Sequence, residues 1–157
     1  MKRVHIHIGV ENIEHAIPFY SALFGAAPVK TKTDYAKWLL DDPRVNFAIS
    51  TRAGKKGVDH LGIQVDDHGE LDEVRGRIQS AALPAFNEGE TVCCYAKSDK
   101  TWVQDPAGVA WETYRTMEDA QIYGKNPAMN ESACCTPETK GTPDCCEPLE
   151  ATAGCCG

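Results

Sequence analysis

The feature that most constrains the fold of this chain is an internal repeat with a spacing of 55 residues. Residues 5–11 (HIHIGVE) and residues 60–66 (HLGIQVD) share the pattern His, apolar, any residue, Ile, any residue, Val, acidic residue. Both copies alternate with a period of two, which is typical of a β-strand with one buried face. The repeat therefore predicts two similar modules in tandem.

Each copy of the strand is followed by a helix pattern and then by three short strand candidates. Apolar residues recur at helical spacing from Ile13 to Phe24 in the first module and from Leu71 to Leu83 in the second. The strand candidates are residues 29–33, 36–40 and 45–50, then 91–98, 101–103 and 109–116. This order predicts an α+β fold made of two tandem βαβββ modules. We expect the modules, residues 1–52 and 57–116, to form a curled mixed sheet around a cleft.

Composition and charge both change near residue 117. Residues 1–116 contain 14 basic and 16 acidic side chains, whereas residues 117–157 contain 2 basic and 7 acidic ones. The second segment is rich in Pro, Gly, Thr, Ala and Glu, so it cannot bury enough surface to offset its ordering entropy. We expect one domain, residues 1–116, and then an acidic, flexible, cysteine-rich tail, residues 117–157. A short helix is predicted at the junction, around residues 117–124.

The net charge excludes some partners and the cysteines suggest others. A formal net charge of −7 provides no basic surplus for nucleic acid or an anionic membrane. No apolar run approaches the roughly 20 residues that span a bilayer, and no signal peptide precedes the first strand, so we expect a cytoplasmic protein. In a reducing compartment, adjacent thiols indicate soft-metal ligands more than they indicate disulfides. The eight cysteines form four adjacent pairs: Cys93–Cys94, Cys134–Cys135, Cys145–Cys146 and Cys155–Cys156.

Strand alternation selects three candidate metal ligands. His5 and His7 lie on the face of the first strand opposite its apolar residues, and His60 lies on the corresponding face of the second copy. On the last strand, Glu112 faces the cleft, where a carboxylate needs a partner or a metal to offset its desolvation. A lone histidine on such a face is more often a solvated polar residue, but the repeat of His5 at His60 favours ligands. Two imidazoles and one carboxylate suit ferrous iron with open positions for O2 and substrate, and also manganese or zinc.

The pair Cys93–Cys94 lies in a predicted strand, residues 91–98. Consecutive side chains of a regular strand point to opposite faces, so both thiols reach the cleft only if the backbone bulges or ends there. Two small buried side chains are the alternative interpretation, since free cysteine is often buried. The three further pairs in the tail favour a function of the dipeptide itself, because they lie outside any predicted core.

The residues of the domain resemble the vicinal-oxygen-chelate superfamily of glyoxalases, extradiol dioxygenases and fosfomycin- or bleomycin-resistance proteins. The resemblance covers residues 1–116. Glyoxalase I enzymes have a glutamate ligand on the last strand of the first module, whereas residues 45–50 here (VNFAIS) contain no carboxylate. This difference counts against glyoxalase chemistry. The matching pieces are His5 with Val10, Phe19–Tyr20 with Phe24–Gly25, Asp59–His60, and Asp105–Pro106–Ala107–Gly108 leading to Glu112.

Within that superfamily, residues 91–103 (TVCCYAKSDKTWV), Trp111–Glu112 and the cysteine-pair-rich tail are similar to organoarsenical carbon–arsenic lyases and to cadmium-induced proteins. This resemblance implies Fe(II) at His5, His60 and Glu112, O2 as co-substrate, and a trivalent organoarsenical bound by Cys93 and Cys94. His7 and Tyr114 are then candidate supporting residues around the metal. The accessory thiols, which are candidate sites for soft-metal ions, are Cys134, Cys135, Cys145, Cys146, Cys155 and Cys156.

Two other classes of function stay open from the sequence. The chain is either an enzyme of this kind or a sequestration protein whose cysteines bind cadmium or arsenite. Another three-ligand metalloenzyme of the same superfamily, fosfomycin-modifying or extradiol-type, uses a similar triad but leaves Cys93–Cys94 unexplained. We expect a monomer or a homodimer.

Overall fold

The structure is a computed structural model that describes residues 1–121 and Gly124. Its elements follow the order β-α-β-β-β twice over, and this confirms the predicted α+β fold of two tandem modules. The first module contains β1 (Arg3–Gly9), α1 (Ile13–Phe24), β2 (Lys30–Lys32), β3 (Tyr35–Asp41) and β4 (Arg44–Ser50). The second contains β5 (Gly57–Val65), α2 (His68–Ser80), β6 (Ala85–Cys93), β7 (Ala96–Gln104) and β8 (Ala110–Asp119).

The eight strands form one mixed sheet in the order β2-β3-β4-β1-β5-β8-β7-β6. β1 and β5 are antiparallel neighbours at its centre, and each is parallel to the last strand of its own module, β4 or β8. Across the central pair, His7 lies opposite His60 and His5 lies opposite Gly62. This register is the one that a pseudo-twofold axis produces, since His5 is equivalent to His60 and His7 to Gly62 in the repeat.

The helix starts follow from local hydrogen bonding. The Asn12 side chain accepts a hydrogen bond from the backbone N–H of His15, and the Asp67 side chain accepts one from the backbone N–H of Glu70. Both are N-caps that satisfy donors the first helical turn leaves open. α1 ends at Gly25, whose φ of 62° lies in the left-handed region that glycine adopts without strain. No helix among residues 1–121 has the length and apolar character needed to cross a bilayer.

The structure differs from the sequence prediction around the turn between β6 and β7 and at the end of β8. Residues 91–98 are not one strand, because β6 ends at Cys93 and β7 begins at Ala96. The predicted strand 101–103 is part of that longer β7. β8 continues to Asp119 and pairs with β7, so the helix predicted around residues 117–124 is wrong for residues 117–119. Most of the predicted tail, including its six cysteines, lies outside the described residues.

Candidate functional site

Strands from both modules carry the predicted metal ligands to one buried place. His5 and His7 lie on β1, His60 on β5 and Glu112 on β8, and all four side chains are buried. The apolar residues that alternate with the histidines of β1, Ile6 and Ile8, pack instead against the core of the first module. The period-two pattern of the sequence is therefore what separates the core face of β1 from its cleft face.

The three residues of the predicted triad converge on one carboxylate oxygen. Glu112 Oε1 lies 3.2 Å from His5 Nε2 and 3.4 Å from His60 Nε2. Neighbouring ligand atoms that each lie about 2.1 Å from a common metal ion are roughly 3 Å apart. The three atoms are thus spaced as the ligands of one ion would be. His5, His7 and His60 also present ring nitrogens that lie within 4.8 Å of one another, which makes them a second possible ligand group.

Hydrogen bonds fix the orientation of both imidazoles in the triad. His5 Nδ1 lies 3.0 Å from the carbonyl oxygen of Asn46 and donates to it. His60 Nδ1 lies 2.8 Å from Asp59 Oδ2 and donates to that carboxylate. Both rings are therefore held with Nε2 toward Glu112, and a carboxylate or carbonyl behind a histidine is the usual support of a metal ligand. The donor set fits a divalent metal with positions left open.

The charges of the centre are strongly coupled. Burial lowers the pKa of His5 to about 4, so this imidazole is neutral near pH 7. Burial also opposes protonation of His60, but the carboxylates of Glu112 and Asp59 outweigh it and raise the pKa of His60 to about 9. Burial acts to raise the pKa of Glu112, yet Lys100 and His60 hold that pKa well below its ordinary value. A bound metal ion would replace the proton of His60 as the counter-charge of Glu112.

Lys100 is a residue of this centre that the sequence reasoning did not identify. Its Nζ lies 3.0 Å from Glu112 Oε2, and both side chains are only 4% exposed. The ammonium also lies 5.6 Å from the ring centroid of Trp102 and 5.8 Å from that of Tyr114. Lys100 therefore occupies one oxygen of Glu112 and leaves the other, Oε1, facing the histidines. The sequence carries no local signal for it, because residue 100 falls between the predicted strands 91–98 and 101–103 and no strand face was assigned to it.

The thiol pair lies at the tip of the β6–β7 hairpin. Cys93 pairs with Ala96, and the two residues between them, Cys94 and Tyr95, have φ values of 55° and 60°. Two successive residues in the left-handed region make the tight hairpin turn that matches the twist of the strands. The turn breaks the strand alternation, so both thiols line the same cavity. Their Sγ atoms are 3.0 Å apart, well beyond the roughly 2.05 Å of a disulfide bond.

The two thiols are not electrostatically equivalent. The hydrogen bond with Cys94 and the charge of Lys100 lower the pKa of Cys93, although burial opposes this. The same hydrogen bond and burial raise the pKa of Cys94. A thiolate is the form that binds soft ions and attacks electrophiles, so Cys93 is the readier of the two to react.

One small cavity connects the thiols with the metal-ligand candidates. Its volume is about 30 Å³, and its walls include His5, Glu112, Cys93 and Cys94. The remaining space is bounded by side chains of β1, β3, β4, β7 and β8. These further lining residues are His7, Tyr35, Lys37, Asn46, Ala96, Ser98, Lys100, Tyr114 and Thr116.

The two supporting residues named from the sequence also lie here. The Tyr114 hydroxyl accepts a hydrogen bond of 2.7 Å from Asn46 Nδ2, and its ring meets the His5 ring edge to face at 5.3 Å. His7 Nε2 lies 2.9 Å from Ser50 Oγ, and the His7 ring lies 4.7 Å from that of His60. Tyr114 therefore packs against the ligand candidate His5. His7 lies between His60 on one side and Ser50 of β4 on the other.

The chain belongs to the Glyoxalase/Bleomycin resistance protein/Dioxygenase superfamily, whose sequence model matches residues 2–113. It is 40% identical to a trivalent organoarsenical cleaving enzyme of Bacillus sp. (strain MD1), over 93% of this chain and 99% of that protein. It is 35% identical to the cadmium-induced protein CadI of Mycobacterium tuberculosis, over 86% and 93% of the two chains. A crystal structure of homoprotocatechuate 2,3-dioxygenase from Arthrobacter globiformis superposes with a TM-score of 0.54 at 14% identity, over 77% of this chain and 38% of that one, which shows a shared fold.

Proposed function

We propose that the chain is a carbon–arsenic lyase that uses Fe(II) and O2 to degrade trivalent organoarsenicals, methyl or aromatic, to arsenite. The observation that carries this proposal is the cavity that the thiol pair shares with His5 and Glu112, whose carboxylate also lies 3.4 Å from His60 Nε2. Similarity to a relative named as a trivalent organoarsenical cleaving enzyme supports the choice of substrate.

His5, His60 and Glu112 would hold the iron in this proposal. Two neutral imidazoles and one carboxylate are the donor set of ferrous oxygenases, and iron bound by them would supply the O2 chemistry that side chains lack. Lys100 restrains Glu112 by binding Oε2, so that one oxygen of the carboxylate remains for a metal. Asn46 and Asp59 keep the Nε2 atoms of the two histidines in place.

Cys93 and Cys94 would bind the substrate through its arsenic atom. Trivalent arsenic is thiophilic, and a thiol pair 3.0 Å apart offers two sulfurs to one atom. Each sulfur displaces one hydroxide of a trivalent arsenical, and the thiol proton leaves with that hydroxide as water. The bound arsenical is then fixed near the metal ligands, an entropic advantage of up to about 7–11 kcal/mol in well-oriented reactions. The thiol chemistry also favours a reducing, cytoplasmic location.

Arsenite release tests the proposal directly. The full-length, reduced protein is loaded with ferrous iron without air and mixed with a trivalent methyl- or phenylarsenical, and O2 is then admitted. We expect stoichiometric or catalytic arsenite, and no arsenite from Cys93→Ser protein. A matched control replaces the six tail cysteines by serine and should keep the activity. If the unaltered protein binds the arsenical tightly but releases no arsenite, the lyase function is wrong.

A sequestration protein for cadmium or arsenite is the second candidate function, favoured by the similarity to a relative named as cadmium-induced. Under this function, replacement of the tail cysteines would remove most of the soft-metal capacity, and loss of the Glu112 carboxylate would leave that capacity unchanged. Under the lyase function, Glu112→Gln abolishes arsenite release while thiol binding of the arsenical persists. The two variants assayed side by side therefore separate the two functions.

A further inference from the structure

The imidazole of His7 contains a buried polar atom that the proposed lyase reaction does not use. His7 is 1% exposed, and its Nε2 is engaged by Ser50 Oγ at 2.9 Å. Its Nδ1 has no hydrogen-bond partner among the residues that the structure describes. Buried polar atoms are nearly always paired, so an orphaned ring nitrogen calls for a specific explanation, such as a bound ion.

The thiol hairpin lies next to the imidazole of His7. His7, Cys93 and Cys94 line the same cavity, and the imidazole of His7 is within interaction distance of the Cys94 side chain. Because Ser50 already occupies Nε2, the atom of His7 that is left for a ligand is Nδ1. When Nε2 carries the proton and donates to the serine hydroxyl, Nδ1 presents a lone pair, as a metal ligand must.

We propose that Cys93 Sγ, Cys94 Sγ and His7 Nδ1 form a second cation site, for a thiophilic divalent ion such as Cd²⁺. Two thiolates and one imidazole are soft and borderline donors, which favour such ions over Fe²⁺ or Mg²⁺. Binding forms two metal–sulfur bonds and one metal–nitrogen bond. The two thiol protons pass to solvent, and no atom changes its oxidation state.

The geometry requires only a local change at the hairpin tip. For an ion of the size of zinc, about 2.3 Å from each sulfur in a tetrahedral arrangement, the sulfurs must be roughly 3.8 Å apart, and the larger Cd²⁺ needs a somewhat wider separation. The two sulfurs are 3.0 Å apart in the structure, so one cysteine side chain must rotate outward to accept the ion. Cys94 is in the turn itself and is only partly buried, whereas Cys93 is 1% exposed on β6. Cys94 is therefore the side chain that moves.

This site uses the same two thiols as the arsenical in the proposed lyase reaction, but it does not depend on cleavage of a carbon–arsenic bond. A cation held by Cys93, Cys94 and His7 and an arsenical held by the two thiols exclude each other. Cd²⁺ should accordingly act as a competitive inhibitor of arsenical binding, and replacement of His7 should weaken that inhibition.

Cadmium titration of the full-length protein tests the site, with the six tail cysteines replaced by serine so that they do not compete. The thiolate-to-Cd²⁺ charge-transfer absorption in the ultraviolet reports only sulfur-bound ions. We expect one thiolate-bound Cd²⁺ per chain, and an affinity that is about 10- to 100-fold lower in His7→Ala protein. His5→Ala is the matched control on the same strand, because it removes a ligand of the iron group and leaves His7 in place. Its charge-transfer titration should be unchanged.

X-ray absorption at the cadmium edge gives a second measurement on protein that retains His7. We expect two sulfur neighbours and the scattering pattern of one coordinated imidazole, and loss of that pattern in the His7→Ala variant. A sulfur shell without imidazole, or a titration that His5→Ala weakens and His7→Ala does not, overturns the inference. Arsenite release in the absence of Cd²⁺ is assayed in parallel, so failure of the lyase function is seen separately from failure of the cation site.

Discussion

The two modules share one topology but are stabilised by different interactions. In the first, α1 covers a cluster of large apolar side chains on the sheet, with Trp38 and Ile49 fully buried and Tyr20 and Phe24 packed around Phe47. In the second, α2 buries only Leu71 and Val74. Polar contacts hold α2 to β7 instead, because Arg75 binds Asp99 through two nitrogens, at 2.7 and 3.2 Å, and Thr101 Oγ1 at 2.7 Å.

The cleft faces of the modules differ in a complementary way. On the parallel pair β1–β4, His7 lies beside Ala48, and at the equivalent place on β5–β8, Gly62 lies beside Glu112. A Cβ atom on Gly62 would come within 2.5 Å of the Glu112 carbonyl oxygen and 2.8 Å of its Cγ. Each module thus combines one large polar residue with one small neighbour, but on opposite strands.

This difference shows how a repeated fold becomes an asymmetric site. Duplication alone would give two equivalent sets of cleft residues, whereas here only one position, His5 and His60, is kept in both modules. The first module adds His7 and most of the apolar core. The second adds Glu112, Lys100 and the thiol hairpin. We infer that the free energy gained by apolar burial in the first module offsets the cost of burying charges in the second.

Replacement of Glu112, a buried charge found only in the second module, should have the largest effect on stability. In metal-free protein, Glu112→Gln leaves Lys100 buried without its carboxylate, and we expect a loss of about 3–5 kcal/mol in the free energy of unfolding. Urea denaturation at pH 7 measures it. The double variant Lys100→Met/Glu112→Gln removes both charges and should recover most of the loss. A single variant that costs less than about 1 kcal/mol would mean that the ion pair is not desolvated as the structure indicates.

Gly62 should be the next most sensitive position. Gly62→Ala forces Glu112 away from the new methyl group, so we expect the affinity for ferrous iron to fall about 10- to 100-fold. Anaerobic metal titration measures this affinity. Gly76→Ala, which adds a methyl group where no atom lies within 4 Å, is the matched control and should bind metal normally. Equal affinities in the two variants would contradict the proposed role of Glu112 as a ligand.

The sequence predicted the parts of the site that depend on strand periodicity. The pattern predicts His5, His60 and Glu112 on one cleft, because alternate residues of a strand share a face and because the repeat makes two strands equivalent. Apolar spacing predicts both helices, and the structure has them at Ile13–Phe24 and His68–Ser80, the second beginning and ending three residues earlier than the predicted range from Leu71 to Leu83.

The hairpin could not be predicted in the same way. Its turn residues, Cys94 and Tyr95, are not the Asn, Asp or Gly that usually adopt positive φ, so nothing local indicated a turn within residues 91–98. The burial of Lys100 was also hidden, because it depends on the partner Glu112, 12 residues away, and lysine is rarely buried without a partner. β8 continues past Thr116 because its end pairs with Ala96 and Lys97, which are residues of that same hairpin.

The polar anchor of α2 predicts a pH dependence that the apolar packing of α1 does not. The hydrogen bonds from Arg75 lower the pKa of Asp99, although burial opposes this. Its folded pKa therefore lies below the unfolded value of about 3.9, and the contribution is present above that pH and lost as pH falls through the folded pKa. We expect Arg75→Leu to cost about 1–2 kcal/mol at pH 7 and clearly less at pH 3. Arg77→Leu, at an exposed arginine of the same helix, should cost little at either pH in urea denaturation.

The smallest expected effect concerns the backbone of α2. Gly76 is exposed in the interior of this helix, so Gly76→Ala should raise the free energy of unfolding by about 0.5–1 kcal/mol. Gly89→Ala adds the same methyl group where space is equally open, but at a φ of 70°. It should lower stability, because alanine is strained in that region. Changes of opposite sign in the free energy of unfolding would show that the backbone entropy of Gly76 limits the stability of α2. No change in Gly76→Ala would mean that packing against the sheet already fixes α2 as firmly as α1.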